Sequence, residues 1–220
     1  MAEKVNERTD RCELREKIIR AASDEFAHNG IKKVRMDDIA ALLGISKRTL
    51  YEIFKDKETL LIAVIEDSTD KHRALSEKIY KESSNVLEVV LKFVADSIKH
   101  LLETNRKVFS ELKKYPKAYQ MLKNNRISDV DRKIKFYAEG IEQGLFRNDV
   151  NYNILTLLLD EQFNLLLNSD VCNDFSFVEV FESITFTFIR GIVTEKGSKL
   201  LEQLIVEYRM NHALSIDMKQ

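Results

Sequence analysis

The sequence predicts an all-α fold, and three observations lead to that prediction. Glycine occurs 6 times and proline once in 220 residues, a combined share of about 3 % where soluble proteins have roughly 12 %. A strand-rich chain of this length would need a turn about every 8 to 12 residues, and turns need those two residue types. Apolar residues instead recur at three- and four-residue spacing, as on the buried face of a helix. The 44 % hydrophobic share also excludes a disordered or fibrous chain.

The first two helices are predicted near the N-terminus. Residues 12–28 carry apolar side chains at helical spacing, and Gly30 follows as a C-terminal cap would. Residues 1–11 are expected to form a flexible arm. A second, two-turn helix is predicted from Met36 to Leu43, where Gly44 breaks it.

A third short helix is predicted after Ser46, which is placed to cap it. Three apolar side chains at i, i+3 and i+4 would form its buried face, so the residues between them would point outward. The buried face is expected to hold Leu50, Ile53 and Phe54, and the outward face Lys47, Arg48, Tyr51 and Glu52.

The rest of the chain has the pattern of a series of helices. Asp56 is placed to cap a long fourth helix that ends before Ser83. Pro116, Gly144 and Gly197 are interpreted as breaks, and Ser176 with Glu179 predicts a capping box. The further helical runs are residues 86–103, 107–114, 117–124, 128–143, 154–167, 176–196 and 199–210.

Charge and cysteine usage exclude several classes of protein. The formal net charge is −1, so any signal for nucleic-acid binding must be local. Cys12 and Cys172 are far apart and form no CxxC pair, which indicates a reducing compartment. The charged N-terminus shows no export signal, and the apolar run 154–167 is shorter than the ~20 residues of a membrane span. We expect a cytoplasmic protein that does not engage the membrane.

Residues 31–57 hold a pattern that suggests a function. Two short helices joined by a tight turn are typical of a helix-turn-helix. The second helix must be narrow and held from behind if it is to enter a major groove about 12 Å wide. This segment also holds 7 Lys and Arg against 4 acids. The side chains expected to hold the second helix are Ile39, Leu42, Ile45, Leu50 and Phe54.

The same segment resembles a known family. Ile18-Ile19-x-Ala-Ala-x-x-x-Phe26 is followed by Gly30, and then by Asp38-Ile-Ala-x-x-x-Gly44-Ile-Ser46-x-x-Thr49-Leu-Tyr51-x-x-Phe54-x-x-Lys57-Glu-x-Leu60-Leu61. This pattern, over about 50 residues, is similar to the N-terminal domain of TetR-type transcriptional regulators. The resemblance implies an all-α protein that binds palindromic operator DNA as a homodimer. It also implies a repressor of transcription, the usual role in this family, which a small-molecule effector releases from DNA.

The resemblance also implies which residues contact DNA. Ser46, Lys47, Thr49 and Tyr51 would face DNA, and Lys57 would contact phosphate. Four positions depart from the family pattern: Val34-Arg35 replaces a Thr-Thr pair, Arg48 replaces a frequent glycine, and Ile53 replaces a common aromatic. Arg35 is expected to hold phosphate by charge, and Arg48 adds bulk and charge at the groove face. The predicted DNA-binding set is Arg35, Ser46, Lys47, Arg48, Thr49, Tyr51 and Lys57.

The resemblance divides the chain into a DNA-binding domain over residues 12–58, a sensing and dimerisation domain over 59–210, and a tail over 211–220. The resemblance further implies that the last two long helices of each subunit pack together in a four-helix dimer interface. These helices carry more apolar surface than a monomeric helix pair needs. The predicted interface residues are Leu155, Leu158, Leu159, Leu166, Phe177, Phe181, Ile184, Phe188 and Ile192. Aromatic residues of the middle helices are candidates for an effector pocket or for core: Phe93, Phe109, Tyr115, Tyr119, Phe136, Tyr137 and Phe163.

The sequence leaves two other function classes open besides a regulator. The first is a helical small-molecule-binding protein whose head does not read DNA. The second is an enzyme, which finds little support because the four histidines show no metal-ligand spacing and there is no phosphate-binding glycine loop or GxSxG elbow. We therefore expect no catalytic activity, metal or cofactor.

Overall fold

The computed structural model of the chain describes residues 2–105, 107–128, 130–168 and 175–216. In this part it has no β-strand, and an antiparallel bridge joins Phe146 to Val193. The prediction of an all-α fold is confirmed. The helices are α1 (Ala2–Asn29), α2 (Met36–Leu42), α3 (Lys47–Ile53), α4 (Lys57–Lys81), α5 (Val86–Glu103), α6 (Lys107–Leu112), α7 (Pro116–Ser128), α8 (Val130–Glu142), α9 (Tyr152–Asn168), α10 (Phe177–Ile192) and α11 (Glu195–Ile216). Among the described residues, no helix is long and apolar enough to cross a membrane.

Most helix boundaries follow the local signals in the sequence. Ser46 Oγ accepts from Thr49 N at 3.0 Å, and Asp56 Oδ1 accepts from Thr59 N at 2.8 Å, as capping residues do. Ser176 and Glu179 form the predicted capping box. Pro116 is the first residue of α7 rather than a break, because a proline at this position loses no helical hydrogen bond.

The two ends of the chain are more helical than predicted. Helix α1 begins at Ala2, so residues 2–11 of the expected arm are helical. Helix α11 extends to Ile216, six residues into the expected tail. Both extensions are free of proline and glycine, so nothing in the backbone opposes the continuation of each helix.

The chain divides into two compact units. The first, called the head unit here, comprises residues up to Arg73 together with Leu101–Arg126. The second unit comprises Ala74–His100 and the chain from Ile127 onward. The head unit thus contains α1 to α3, most of α4, the end of α5, all of α6 and most of α7. The sequence analysis instead places residues 59–210 in one domain.

The core of the head unit lies behind the two short helices. Ile39 and Leu50 are fully buried and Phe54 is 2 % exposed, as predicted, and Ile45 is partly buried against them. Leu42 is 60 % exposed, so its expected place in this core is wrong. The buried stripe of α2 runs through Met36, Ile39 and Ala40 toward Leu43, and Leu42 lies about 100° around the helix from it. The other fully buried members of this core include Ile18, Ala22, Leu60 and Ala118.

The second unit contains a corner that the sequence pattern places wrongly. Helix α10 ends at Ile192, not near Lys196, and Val193 is extended, with φ −77° and ψ 148°. Thr194 N donates to Leu145 O at 2.9 Å, and Thr194 Oγ1 accepts from Gly197 N at 3.0 Å, which caps α11. Gly197 therefore lies in the first turn of α11 and ends nothing. A Cβ at this position would lie 2.3 Å from Leu145 O, so only glycine allows the approach.

In the second unit, an aromatic cluster lies between α8 and α9. The rings of Tyr137 and Tyr152 stack with centroids 4.4 Å apart, and Phe136 and Phe146 meet edge to face at 5.7 Å. Gly140 faces this cluster on α8, where an added Cβ would lie 2.0 Å from Phe146 Cδ2. The ring of Phe146 thus occupies the space of a side chain at position 140.

Candidate nucleic-acid interface

The turn between α2 and α3 is built by a glycine in the left-handed region. Gly44 has φ +64°, a conformation that costs glycine little. Its N–H donates to Ala41 O at 3.1 Å, and Ile45 N donates to Ala40 O at 3.0 Å. This pair of bonds is a Schellman motif, which satisfies the last carbonyls of α2 and redirects the chain. Ser46 then starts α3 directly, so the two helices are joined by a rigid four-residue connection.

Helix α3 presents a polar outer face, as predicted. Lys47, Arg48 and Glu52 are exposed, and Tyr51 is 47 % exposed. Leu50 points inward and is fully buried. Thr49 is half-buried, and its hydroxyl hydrogen-bonds the hydroxyl of Ser46 at 2.8 Å. These two hydroxyls therefore stabilise the start of α3, and the contact with DNA predicted for them would be a second role.

Both cations of α3 have a carboxylate partner. The Lys47 ammonium donates to Asp37 at the start of α2, and Arg48 Nε donates to Glu52 Oε1 at 2.9 Å. The hydrogen bond to Asp37 raises the pKa of Lys47, and the hydrogen bond to Glu52 raises the pKa of Arg48. Both side chains therefore stay charged over the whole physiological pH range.

Helix α1 supports α3 from the side, through residues that the sequence pattern did not single out. Arg11 Nη2 donates to the Glu52 carbonyl at 3.3 Å. The guanidinium of Arg15 lies over the Phe54 ring, 5.5 Å from its centroid. The signal in the sequence was the i, i+4 spacing of these two arginines on one face of α1.

The other two predicted DNA contacts differ in their surroundings. Arg35 is exposed at the start of α2, and its backbone N–H donates to Asp38 Oδ2 at 2.8 Å. The Lys57 ammonium donates to the carbonyls of Ile31 and Val34 and lies over the Phe26 ring. Burial lowers the pKa of Lys57. The contact between Lys57 and phosphate stays a prediction, and it would use the third donor of an ammonium whose other two donors bond these carbonyls.

Within the head unit, hydrogen bonds join the end of α1 and the loop after it to Asn105 and to Glu111 of α6. Asn105 donates through its backbone N to Ala27 O at 2.6 Å and through Nδ2 to His28 O at 3.1 Å. Glu111 Oε2 accepts from Lys32 N at 2.7 Å. The two Asn105 bonds satisfy carbonyls at the end of α1 that have no partner within the helix, and the Glu111 bond satisfies a backbone N–H of the loop.

Four of the aromatic residues predicted for an effector pocket belong to two groups, one in each unit. Tyr115 and Tyr119 pack against the core of the head unit, and Phe136 and Tyr137 belong to the aromatic cluster of the second unit. Phe93 is half-buried on α5. The side chains of Phe109 and Phe163 lie outside the described residues. Two of the five described aromatics therefore pack in the head unit and two in the aromatic cluster of the second unit, and the role of all seven in a pocket stays a prediction.

The predicted interface residues also separate by burial. Phe177, Phe181 and Ile192 are buried by their own chain, so these three belong to its core, which leaves almost no side-chain surface for a partner. Leu158 is 49 % exposed, and its neighbours Ile154 and Leu157, which the prediction omitted, are 54 % and 66 % exposed. The half-buried members are Leu155, Leu159, Ile184 and Phe188. The side chain of Leu166 and all of Cys172 lie outside the described residues.

In the part of the chain that the structure describes, no cluster of His, Cys, Asp or Glu could hold a metal ion. The site consists of the turn at Gly44 and the polar face of α3. A short helix held by a small core, with two cations at its N-terminal end, is the arrangement of helix-turn-helix DNA-binding proteins.

Comparisons with known proteins identify the family. The profile of the bacterial regulatory proteins of the tetR family matches residues 18–64. A helix-turn-helix-type transcriptional regulator of Staphylococcus aureus is 30 % identical over 150 residues, which cover 63 % of this chain and 80 % of that protein. The uncharacterized regulator YvaF of Bacillus subtilis is 40 % identical over 81 residues, 36 % of this chain, and the match spans 43 % of YvaF.

The solved structures agree with the sequence relatives. The crystal structure of a transcriptional regulator from Cytophaga hutchinsonii superposes with a TM-score of 0.66 at 28 % identity, over 81 % of this chain and 98 % of that one. The chain belongs to the TetR family of transcriptional regulators, and α2 and α3 are its DNA-binding helix-turn-helix. The relatives are regulators, a class without catalytic activity.

Proposed function

We propose that the protein is a homodimeric repressor that binds a palindromic operator and is released by a small-molecule effector. The observation that carries the proposal is the outer face of α3, called the recognition helix from here on. Its two cations and Tyr51 are exposed while Leu50 and Phe54 hold the helix from behind. The N-terminal end of such a helix is the part that reads base edges in the major groove.

The proposed dimer is supported by the exposed apolar face of α9. Ile154, Leu157 and Leu158 lie at i, i+3 and i+4 and are each about half exposed or more. An exposed apolar stripe of this kind is typical of a surface that a partner covers. A two-fold dimer would place two recognition helices roughly 34 to 36 Å apart, one turn of DNA.

The proposed effector would bind in the C-terminal helical part, within residues 59–210. Its support is a pair of buried hydroxyls in the second unit, Ser76 Oγ and Thr185 Oγ1, for which no hydrogen-bond partner is found among the described residues. A buried hydroxyl without a partner costs free energy, which a polar ligand would recover. The effector would favour a dimer in which the two heads no longer fit adjacent grooves.

Selection of genomic DNA fragments by the purified protein tests this proposal. We expect an enriched palindrome, and at least tenfold weaker binding of it by the double variant Lys47→Ala, Arg48→Ala. The matched control is Lys71→Ala, Arg73→Ala, which removes one exposed Lys and one exposed Arg from α4, about 20 Å along that helix from Lys57.

Each outcome separates the proposal from its alternative. A control variant that binds like the wild type assigns the loss to the recognition helix rather than to net charge. No enriched palindrome would instead favour a helical small-molecule-binding protein whose head does not read DNA.

A further inference from the structure

The ion pair on the outer face of the recognition helix opposes the local preferences of that helix. Arg48 lies in the first turn of α3 and Glu52 in the last. The positive end of a helix dipole is its N-terminus, so a cation there and an anion at the other end are both disfavoured. The stabilising order of an i, i+4 pair is also the reverse, with the acid first. Helix stability therefore does not explain this pair.

The geometry of the pair orients the guanidinium. Arg48 Nε donates to Glu52 Oε1 at 2.9 Å, and the two side chains are 89 % and 57 % exposed. A guanidinium is planar with its donors in a fixed fork, so a bond at Nε sets the plane of the whole group. The Nη1–Nη2 edge then points away from the carboxylate. Two parallel donors on that edge match O6 and N7 of guanine, the commonest specific contact in the major groove.

The residue that carries this carboxylate is itself held in place. Arg11 donates to the Glu52 carbonyl, and Arg15 covers the adjacent Phe54 ring. Lys47 differs, because its ammonium bonds Asp37 on another helix and has no plane to orient. Of the two cations, Arg48 is therefore the one whose donors are oriented from within α3.

We infer that Glu52 is a positioning residue for Arg48, and that Arg48 reads a guanine in each half-site through the Nη1–Nη2 edge of its guanidinium. The inference rests on the proposed operator-binding function and deepens it by naming a base that the operator must contain. Glu52 also brings a negative charge toward DNA. It therefore lowers affinity for any DNA backbone while it raises discrimination at one base pair.

The test uses the full-length protein and the operator recovered by selection, with binding measured by fluorescence anisotropy. Each guanine is replaced in turn by 7-deazaguanine, which lacks the N7 acceptor, or by adenine. For the wild type, 7-deazaguanine at one position of each half-site weakens binding roughly tenfold. Arg48→Ala is insensitive to the replacement at that position.

Three substitutions of acids separate positioning from charge. Glu52→Ala, which removes both the acceptor and the charge, binds random-sequence DNA more tightly than the wild type and loses several-fold of the preference for guanine over adenine. Glu52→Asp keeps the charge but shortens the reach, so it loses the preference without gaining affinity for random DNA. The control Glu16→Gln removes the acid of an i, i+4 pair with Arg20 on α1, and it keeps the wild-type preference. Thermal melting confirms that each variant is folded.

Several results would overturn the inference. If a palindrome is enriched but Arg48→Ala keeps the wild-type preference at every base pair, the inference fails while the proposed function stands. An unchanged preference in Glu52→Ala removes the positioning role. A loss of preference at a different base pair means that Glu52 reads a base itself, which also overturns the inference. If no DNA is enriched at all, the proposed function and the inference fall together.

Discussion

Two glycines inside helices have opposite surroundings, and this difference can be tested. A Cβ at Gly140 would lie 2.0 Å from Phe146 Cδ2, whereas a Cβ at Gly191 would have no atom within 4 Å. We expect Gly140→Ala to destabilise the protein by about 1 to 3 kcal/mol through overpacking. Gly191→Ala should be neutral or stabilise by up to about 1 kcal/mol, because alanine favours the helix. Urea denaturation of both variants checks this, and equal effects would contradict the packing described for Phe146.

The cap at Asp56 predicts a pH dependence. Hydrogen bonds from the backbone and then the hydroxyl of Thr59 lower the pKa of Asp56, so folding favours its ionised form. The stabilisation is fully present above the ordinary Asp pKa of about 3.9 and is lost as the pH falls below it. We expect Asp56→Ala to cost about 1 kcal/mol at pH 7. The difference from the wild type should shrink at pH 3, and a difference that does not change with pH would show that the carboxylate is not the cap.

The identity of each residue and its close neighbours predicted the capping residues, but not the surroundings of every side chain. Ser46, Asp56 and Ser176 bond to groups three residues away, so a local pattern contains all the information needed. The surroundings of Lys57 depend on carbonyls of Ile31 and Val34, which only the folded loop brings to it. The site's outer face was therefore predictable, while the partners that orient its cations were not.

At the scale of elements, α6 is bonded to the loop that precedes the helix-turn-helix. Glu111 accepts from the Lys32 amide at 2.7 Å, and a hydrogen bond to a charged group contributes about 1.5 to 3 kcal/mol. We expect Glu111→Ala to destabilise the head unit by about 1 to 2 kcal/mol and Glu111→Gln by less, since its amide oxygen still accepts. Hydrogen exchange at the Lys32 amide should accelerate in Glu111→Ala.

The control for this prediction is Glu103→Ala, which removes an exposed acid from the end of α5. It should leave exchange at Lys32 unchanged. If Glu111→Ala also leaves that exchange unchanged, the bond between α6 and the loop contributes nothing in solution.

The end of α10 shows why a glycine can mislead a prediction of helix boundaries. Gly197 directly follows the helical run predicted for residues 176–196, which is the usual place of a C-terminal cap. Its actual role is to allow Leu145 O to approach within the space of a Cβ. That contact joins residues 52 positions apart, so no local pattern contains it. The true signal was Thr194, whose hydroxyl caps α11.

At the scale of the whole molecule, the proposed dimer predicts that a charge introduced on the exposed face of α9 changes the oligomeric state. Leu157 on α9 is 66 % exposed, so Leu157→Glu should not disturb the core of its own chain. We expect it to convert the dimer to a monomer, because the introduced carboxylate would be buried without a partner at the interface. Sedimentation velocity measures the change.

Leu102→Glu is the matched control, since Leu102 is 59 % exposed on α5 and lies in the head unit. This variant should sediment like the wild type. A Leu157→Glu protein that remains dimeric, or a wild type that is itself monomeric, would refute the proposed interface on α9.

The carboxylate partners of the recognition helix also affect the release of ions. Duplex DNA holds condensed counterions, and a protein cation that reaches a phosphate displaces about 0.9 of one. Lys47 already faces Asp37, so a contact between Lys47 and a phosphate would bring the Asp37 carboxylate close to the DNA and offset part of the neutralised charge. The net number of ions released is then smaller than the number of cations that touch DNA. Operator affinity should therefore vary less steeply with ionic strength than the basic side chains of the head imply, and the proposed repression would tolerate changes in the salt content of the cell.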